Sequence, residues 1–326
     1  MRAHAIRFER TGGPEVLRWE EVEVPAPGPG EALLRQTAIG VNFIDVYHRT
    51  GLYPVPSFPS GIGMEAVGIV EAIGPGVTEV SPGDRVAYAS LPIGGYAEWR
   101  CMPAERLVRV PPGISDEEAA AMMLKGMTAQ YLLRRTYRVQ PGDTIVFYAA
   151  AGGVGSIACQ WAKHLGAEVI GVVGSDEKAA LAREFGCAHT IVYTRERVPE
   201  RVRALTGGKG VPVVYDSVGK ATFFDSLDCL APRGLMVSFG NASGPVAPFD
   251  IQQLALRGSL YLTRPTLATY TATREELLAT AEELFDVVLS KAVRIRIGLR
   301  LPLREAARAH EALERRSTTG AIVLLP

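Results

Sequence analysis

The sequence predicts an α/β protein that combines a doubly wound parallel sheet with a second, β-rich domain. Three observations lead to this fold class. The chain has 326 residues, which is enough for about two domains. Up to about residue 110, short strand-like runs are separated by turn residues, whereas from Ser115 onward apolar runs alternate with helical stretches. After Pro265, one long helical stretch leads into a tail of strand-like runs, so the α/β part is predicted to be inserted into the β-rich part.

The N-terminal part is predicted to be a small barrel or sandwich. Its strand-like runs are EALLRQTAI, AVGIVEAIG, DRVAYA and YAEWRCM. Turn clusters such as PAPGPGE, GPGVTEVSPGD and LPIGG separate these runs, at a spacing that is too short for strand–helix–strand units.

From Ser115 the pattern changes to alternating helices and strands. Ser115 and Glu118 have the spacing of a capping box, which predicts the start of a helix. The apolar runs that follow are rich in Val and Ile without clean alternation, as expected of parallel strands covered on both faces. We predict a Rossmann domain at 123–266 and a β-rich domain formed by 1–122 and 267–326.

The composition is that of a globular protein without a charge bias. Lys plus Arg and Asp plus Glu each number 35, which argues against nucleic acid or an anionic membrane as the main partner. The N-terminus lacks the apolar segment of a secretory signal, and the uncharged stretch 144–162 is better explained by a strand, a turn and a buried helix than by a membrane span. We therefore expect a cytoplasmic protein. The four cysteines are scattered, so neither a disulfide framework nor a cysteine-rich zinc knot is predicted.

The stretch FYAAAGGVGSIACQ, residues 147–160, predicts a dinucleotide-binding loop. The three positions of the Gly-x-Gly-x-x-Gly fingerprint are occupied by Ala150, Gly152 and Gly155, with Gly153 as an additional glycine. Gly152 allows backbone amides to approach a pyrophosphate, and Gly155 allows the helix to pack closely on the strand. The N-terminus of the helix that starts near Val154 then faces the phosphates.

The end of the second Rossmann strand favours NADPH over NADH. NAD-binding domains carry Asp or Glu at this strand tip to bind the ribose 2′-hydroxyl, but here the strand ends in Val172 and Val173. Three residues are placed to surround a 2′-phosphate. Ser175 follows this strand, Lys178 lies one turn into the next helix, and Tyr193 lies at the end of the third strand. The alternative interpretation makes Ser175 a helix cap and Lys178 a solvated lysine, and the acidic residues 176–177 weaken the local positive field.

At this point the chain resembles the zinc-independent quinone oxidoreductases, the zeta-crystallin branch of the medium-chain dehydrogenase/reductase superfamily. The resemblance rests on stretches in order along nearly the whole chain, among them GVNFIDVYHRTGLYP, GMEAVGIVEAIG, LKGMTAQYLL, AAAGGVG, DSVGK, FGNASG, GSLYLTRP and HEALERRSTTGAIVLLP. It implies a GroES-like substrate domain, a Rossmann domain, NADPH bound in a cleft between them, a quinone substrate, and a homodimer built through the edge of the Rossmann sheet near GSLYLTRP.

The resemblance also implies cofactor roles for individual residues. Thr128 would lie near the nicotinamide, and Arg316 would close over the cofactor from the tail. The remaining residues would hold the pyrophosphate, surround the 2′-phosphate or line the dinucleotide groove: Gly152, Gly153, Val154, Gly174, Ser175, Lys178, Tyr193, Ser217, Phe239, Gly240 and Arg264.

No metal site is expected. Zinc alcohol dehydrogenases of this superfamily use a Cys soon after a Gly-Val pair, a His in a Gly-His-Glu motif, and a later Cys, Asp or Glu. The matching stretches here read Gly40-Val41-Asn42 and Gly63-Met64-Glu65, and no cysteine lies between Met102 and Gly155. Zinc needs Cys, His or carboxylate ligands in numbers that these stretches do not supply. Alcohol dehydrogenation, which depends on a Lewis acid, is therefore not expected.

A quinone accepts hydride without a Lewis acid, so the pocket needs mainly an aromatic wall and a hydrogen-bond donor to the developing oxyanion. The candidates are Asn42, Asp45, Tyr47 and Tyr53. Each has a structural alternative, since Asn42 could bind neighbouring backbone and Asp45 could pair with Arg49. A histidine such as His48 is more often at the surface than in a proton relay.

Two other functions stay open. An NADPH-dependent enone or alkenal reductase shares the zinc-free fold, and its protonation step favours a positioned donor such as Tyr53. A non-catalytic relative would be a crystallin-like protein or an RNA-binding NADPH sensor. Zero net charge argues against the RNA-binding function, and the complete set of cofactor residues argues against a purely structural function.

Overall fold

A computed structural model describes residues 1–315 and 318–326 of the chain. These residues form two compact units. The first consists of Met1–Lys125, Thr271–Leu289 and Ile295–Pro326, and the second of Gly126–Tyr270 with Ser290–Arg294.

The strands are β1 (Arg2–Phe8), β2 (Arg18–Glu23), β3 (Glu31–Val41), β4 (Ser60–Gly61), β5 (Glu65–Ile73), β6 (Arg85–Ala89), β7 (Trp99–Pro103), β8 (Val108–Arg109), β9 (Thr144–Tyr148), β10 (Glu168–Val173), β11 (His189–Val192), β12 (Val211–Asp216), β13 (Leu230–Ser238), β14 (Tyr261–Thr263), β15 (Ile297–Pro302) and β16 (Ala321–Leu325). The helices are α1 (Phe43–Thr50), α2 (Asp116–Tyr131), α3 (Gly153–His164), α4 (Asp176–Glu184), α5 (Val198–Leu205), α6 (Phe223–Asp228), α7 (Gln252–Leu256), α8 (Leu267–Tyr270), α9 (Arg274–Leu289) and α10 (Ala306–Glu314). A π-helical turn, Leu132–Thr136, follows α2 directly.

The first unit is built on two sheets. A three-stranded sheet has the order β2-β1-β4, and a larger sheet has the order β15-β16-β3-β5-β6-β8, with β7 paired to β3 as well. Most of these pairs are antiparallel, as the short turn-linked strands predict. A core of Ile, Val, Leu and aromatic side chains, among them Phe8, Leu34 and Tyr96, lies buried within this unit.

The C-terminal tail adds a parallel pair to this sheet. β15 runs parallel to β16, and β16 is antiparallel to β3. A parallel pair cannot be joined by a tight turn, and here α10 lies in the connection. The tail therefore contains a helix that its strand-like runs alone did not indicate.

The second unit contains the predicted parallel sheet. Its order is β11-β10-β9-β12-β13-β14, and all of its pairs are parallel. The order reverses direction between β9 and β12, which is where doubly wound sheets bind dinucleotides. The central strands are buried along nearly their whole length, which explains why their sequences are mostly apolar.

The predicted capping box is present at the start of α2. The Ser115 hydroxyl accepts from the Glu118 N–H at 3.2 Å, and the Glu118 carboxylate accepts from the Ser115 N–H at 3.0 Å. None of the helices in the described ranges is long and apolar enough to cross a membrane.

Candidate active site

The glycine-rich loop joins β9 to α3 in the second unit. Its left-handed residue is Ala149, at φ +53°, and the Gly152 N–H donates to the Ala149 carbonyl at 2.8 Å to close the turn. A Cβ on Gly155 would lie 2.3 Å from the Ala149 oxygen, so only glycine lets α3 begin this close to the strand. The first turn of α3 therefore places backbone N–H groups that have no partner within the helix just beyond the carboxyl end of β9, as an anion site requires.

Ala150 stands at the first position of the fingerprint, and a glycine in the neighbouring strand makes room for its side chain. Its side chain is fully buried, and a Cβ added at Gly171 of β10 would lie 2.9 Å from the Ala150 Cβ. The same added Cβ would lie 2.7 Å from the Cys187 sulfur. The absent side chain at position 171 thus provides the space that the methyl of Ala150 fills.

The tips of β10 and β11 carry the residues predicted to surround a 2′-phosphate. Val173 pairs with Val192, so the segments that follow these residues lie side by side. The Tyr193 ring lies against Gly174, where an added Cβ would be 3.0 Å from the tyrosine oxygen. Ser175 is the N-cap of α4, and its hydroxyl oxygen accepts from the Lys178 N–H at 3.3 Å. The capping role considered as an alternative is therefore present, and it leaves the hydroxyl hydrogen available for a further acceptor.

An ion pair that sequence reasoning missed lies beside these residues. The Arg195 guanidinium binds both carboxylate oxygens of Asp176, with one N···O distance of 2.6 Å. Asp176 is the third residue after the end of β10, and Arg195 is the third residue after the end of β11. Parallel pairing of the two tips was the signal that could have revealed the contact.

Other predicted cofactor residues follow the carboxyl ends of β12, β13 and β14. Ser217 comes directly after β12, Phe239 and Gly240 come after β13, and Arg264 comes after β14. A Cβ on Gly240 would lie 2.4 Å from the Ser217 carbonyl oxygen, so these two loops touch through a glycine. Arg264 donates to the Ser238 carbonyl at 3.0 Å.

The remaining predicted cofactor residues lie elsewhere in the chain. Thr128 is a buried residue of α2, in the second unit. Gly153 and Val154 begin α3. Arg316 lies outside the described residues. The assignment of all these residues to a cofactor stays a prediction.

A buried polar cluster lies in the first unit around Asn42 and Glu65, in the two stretches that were compared with the zinc-binding stretches of zinc alcohol dehydrogenases. The Asn42 amide donates to Glu65 Oε2 at 2.7 Å, and the Leu124 N–H donates to Glu65 Oε1 at 2.7 Å. Lys125 Nζ lies 3.5 Å from Glu65 Oε2 and donates to the Val41 carbonyl at 3.1 Å. Glu65 is fully buried, so these contacts replace the water that its carboxylate would otherwise need. The Asn42 amide therefore binds a carboxylate, and Asn42 also forms a capping box with Asp45 at the start of α1.

Asp45 is held in a second buried network. Its Oδ2 accepts from the Asn42 N–H at 2.8 Å and from the Tyr96 hydroxyl at 2.9 Å. Complete burial raises the pKa of Asp45 from 3.8 to about 7, because desolvation outweighs the hydrogen bonds from Asn42 and Tyr96 that favour the charged form. Among the described residues Asp45 Oδ1 has no hydrogen-bond partner.

The network continues from Tyr96 to the C-terminal tail. The Tyr96 hydroxyl lies 3.2 Å from His310 Nε2, and the Arg49 guanidinium lies 3.0 Å from His310 Nδ1. Burial, together with the charge of Arg49, lowers the pKa of His310 to about 3. Arg49 also pairs with Glu314 at 2.7 Å, so the Asp45–Arg49 pair considered as an alternative is replaced by a pair with the tail.

Tyr47 and Tyr53 are the half-buried members of the predicted pocket. Their rings meet edge to face with centroids 5.2 Å apart, and the Tyr53 N–H donates to the Tyr47 carbonyl at 3.0 Å. The His48 ring meets the Tyr53 ring edge to face and is buried, contrary to the expectation of a surface histidine, and burial lowers the pKa of His48. Of the four predicted substrate residues, the two tyrosines are more accessible than Asn42 and Asp45.

Together, a Rossmann sheet with a glycine-rich loop and a β-rich unit define a two-domain nucleotide-dependent oxidoreductase of the medium-chain type. The family model described as an alcohol dehydrogenase GroES-like domain matches residues 28–112, and that described as a zinc-binding dehydrogenase matches residues 153–283. No cluster of three His, Cys, Asp or Glu side chains suited to a metal is found in the part of the chain that the structure describes.

Similar proteins span the full chain. A quinone oxidoreductase of Pseudomonas aeruginosa is 56% identical over 99% of this chain and 100% of its own length. A 2-haloacrylate reductase of a Burkholderia species is 50% identical over 99% of this chain and 98% of its own length. The structure of Escherichia coli quinone oxidoreductase complexed with NADPH matches with a TM-score of 0.98 at 49% identity, covering 99% of this chain and all of that one.

The chain belongs to the quinone oxidoreductase family of the medium-chain dehydrogenase/reductase superfamily. The family and the fold class predicted from the sequence, a GroES-like domain with a Rossmann domain, are both confirmed.

Proposed function

We infer that the protein is an NADPH-dependent quinone reductase. The observation that carries this function is the full-length identity of 56% with a quinone oxidoreductase, together with the TM-score of 0.98 against a family member solved with NADPH. When bound, NADPH supplies the hydride. The chain's own residues then have to hold the nucleotide, seat the quinone and exclude water.

The second unit fits the nucleotide. The close approach that Gly155 permits leaves the start of α3 open to a pyrophosphate, and a side chain at Gly240 would collide with Ser217. At the tip of β10, Val173 stands where an NAD-binding domain carries an acid. Ser175, Lys178 and Tyr193 would therefore surround a 2′-phosphate, with Gly174 giving the chain room beside the tyrosine ring.

In the first unit we assign substrate contact to Tyr47 and Tyr53 and a supporting role to the buried networks. The amide of Asn42 and the carboxylate of Asp45 already bind protein partners. They fix the start of α1 and thereby the helix on which Tyr47 lies. The tyrosine rings would form an aromatic wall for a flat ring, and a tyrosine hydroxyl would donate to the developing oxyanion.

The function is tested by a steady-state panel of quinones and small enones with NADPH and with NADH. We expect 1,4-benzoquinone to be reduced, with NADPH as the better donor. Strong enone reduction without quinone turnover would overturn the assignment in favour of a double-bond reductase.

That second function has support of its own. The Burkholderia relative that is 50% identical over the full length is a 2-haloacrylate reductase, whose named substrate is an activated double bond and not a quinone. Tyr53, half-buried beside His48, is the proton donor that we would assign to such a reaction. Turnover of 2-chloroacrylate in the same panel decides whether this chain has that activity.

We further propose that the first unit is the substrate domain, that the second is the nucleotide domain, and that two copies associate through the β14 edge. β14 is the last strand of its sheet, and Tyr261 and Leu262 on it are exposed, as are Ile251 and Leu256 just before it. A monomeric mass by sedimentation would contradict the dimer. We also propose a cytoplasmic location, which cell fractionation tests.

A further inference from the structure

The tips of β10 and β11 place a carboxylate and a guanidinium at the predicted 2′-phosphate position. Asp176 lies in the first turn of α4, and Arg195 lies in the turn that follows β11. The two N···O contacts form a fork, which fixes the plane of the guanidinium as well as its distance. Surface ion pairs of ordinary geometry contribute little to the stability of the fold, but a bidentate pair at a ligand site can fix the orientation of the guanidinium toward the ligand.

Of the carboxylates near the predicted 2′-phosphate position, Asp176 is the one whose charge would act on a bound phosphate. Glu196, next to Arg195, is bound to the Val192 N–H at 2.9 Å and pairs with Arg201 at 2.9 Å. Glu177 lies beside Asp176 on α4, and Lys178 follows it with a positive charge. An unneutralised carboxylate at position 176 would repel a dianionic phosphate and would favour the ribose 2′-hydroxyl of NADH.

Resting on the proposed NADPH dependence, we propose that Arg195 is a specificity-determining residue that binds the 2′-phosphate of NADPH and neutralises Asp176 beside it. The guanidinium has N–H donors beyond those that reach Asp176, and they suit a phosphate oxygen. From the sequence, Gly174, Ser175, Lys178 and Tyr193 were predicted to surround this phosphate, and Arg195 was not among them. The ion pair adds a cation and removes the nearby acid that had counted against NADPH.

The test measures equilibrium binding of NADPH and NADH to the full chain by the fluorescence of the reduced nicotinamide. Arg195→Ala is expected to raise the Kd of NADPH by about tenfold or more, the effect of losing a charge-assisted hydrogen bond, and to change the Kd of NADH by less than about threefold. Competition by 2′,5′-ADP and by 5′-AMP, which differ by the 2′-phosphate, should show the same difference without any turnover.

Arg197 supplies the matched control. It is an arginine two positions further on, it is exposed, and it lies 4.0 Å from Glu200. Arg197→Ala removes the same charge and should leave both dissociation constants within about twofold, since long-range effects between exposed charges are screened. Adding Asp176→Asn to Arg195→Ala should recover part of the lost NADPH affinity, because the repelling carboxylate is then gone.

The outcomes separate this inference from the proposed function. Equal losses for NADPH and NADH in Arg195→Ala, an equal effect of Arg197→Ala, or no recovery in the double variant would overturn the role of Arg195 and Asp176. A wild-type protein that binds NADH as tightly as NADPH would overturn the NADPH assignment itself. Thermal unfolding of each variant checks that the exposed substitutions leave the fold unchanged.

Discussion

Replacing Asp45 by Asn should remove a pH dependence from the stability of the first unit. Asp45 is fully buried, and its pKa is raised from 3.8 to about 7 by desolvation. The folded protein therefore holds a proton on Asp45 at pH values where the unfolded chain has lost it. Stability from this group is fully present below about pH 4 and is lost as pH rises through about 7.

The size of the effect follows from the two pKa values. At about 1.36 kcal/mol per pH unit, a pKa raised from 3.8 to about 7 corresponds to about 4 kcal/mol in total. Between pH 5 and pH 8, where denaturation is practical, about 3 kcal/mol of it should be lost. Asn has nearly the same shape as Asp and does not titrate, so Asp45→Asn should lack this loss.

The assay is urea denaturation of wild type and Asp45→Asn at pH 5 to 8, followed by a signal from the first unit. The difference in unfolding free energy should shift in favour of the variant by about 3 kcal/mol as pH rises. Asp286→Asn on α9, an exposed position in the same unit, is the control and should follow wild type. Parallel curves for wild type and Asp45→Asn across this range would show that the pKa of Asp45 is not raised in the folded protein.

Three further outcomes are expected. Glu65→Gln removes the charge that Lys125 pairs with, so unfolding should become easier by about 3 kcal/mol in urea denaturation; a change below about 1 kcal/mol would contradict the buried pair. Tyr53→Phe keeps the aromatic wall but removes a donor, so kcat for enones should fall more than kcat for quinones in the steady-state panel; equal losses would exclude a proton-donating role. Because Asn42 and Met64 stand at positions where zinc-dependent relatives carry Cys and His, quinone reduction should be unaffected by chelators, and metal analysis with stoichiometric zinc would contradict this.

The features predicted correctly were those set by neighbouring residues. The unbroken apolar run of β9, the glycines of the loop and the Ser115 capping box depend on local geometry, and each is present in the structure. The end of β10 at Val173, where an NAD-binding domain would carry an acid, was also predicted from the sequence, because the apolar run of the strand itself shows where the strand ends.

The partners of the buried polar residues could not be predicted because they come from distant parts of the chain. Glu65 contacts Asn42 and Lys125, and Tyr96 reaches His310, which lies 214 positions away. Arg49 could equally have bound Asp45 by helical spacing, and only the position of the tail decides for Glu314. Such contacts depend on which strands are neighbours, and the pattern of one strand does not contain that information.

The Asp176–Arg195 contact is an intermediate case. In the sequence, each of these two residues looks like a solvated surface charge. Their contact can be inferred only when β10 and β11 are known to be parallel neighbours. Ala150 shows the same dependence, since the glycine that makes room for it lies in the adjacent strand.

The proposed NADPH-dependent quinone reduction is tested most directly by measuring the oxidation of NADPH and of NADH by 1,4-benzoquinone, side by side, on the purified chain. We expect quinone-dependent oxidation, with kcat/KM for NADPH at least about tenfold above that for NADH, because one charge-assisted contact to the 2′-phosphate has about this effect. No quinone-dependent oxidation of NADPH, or an equal kcat/KM with NADH, would contradict it.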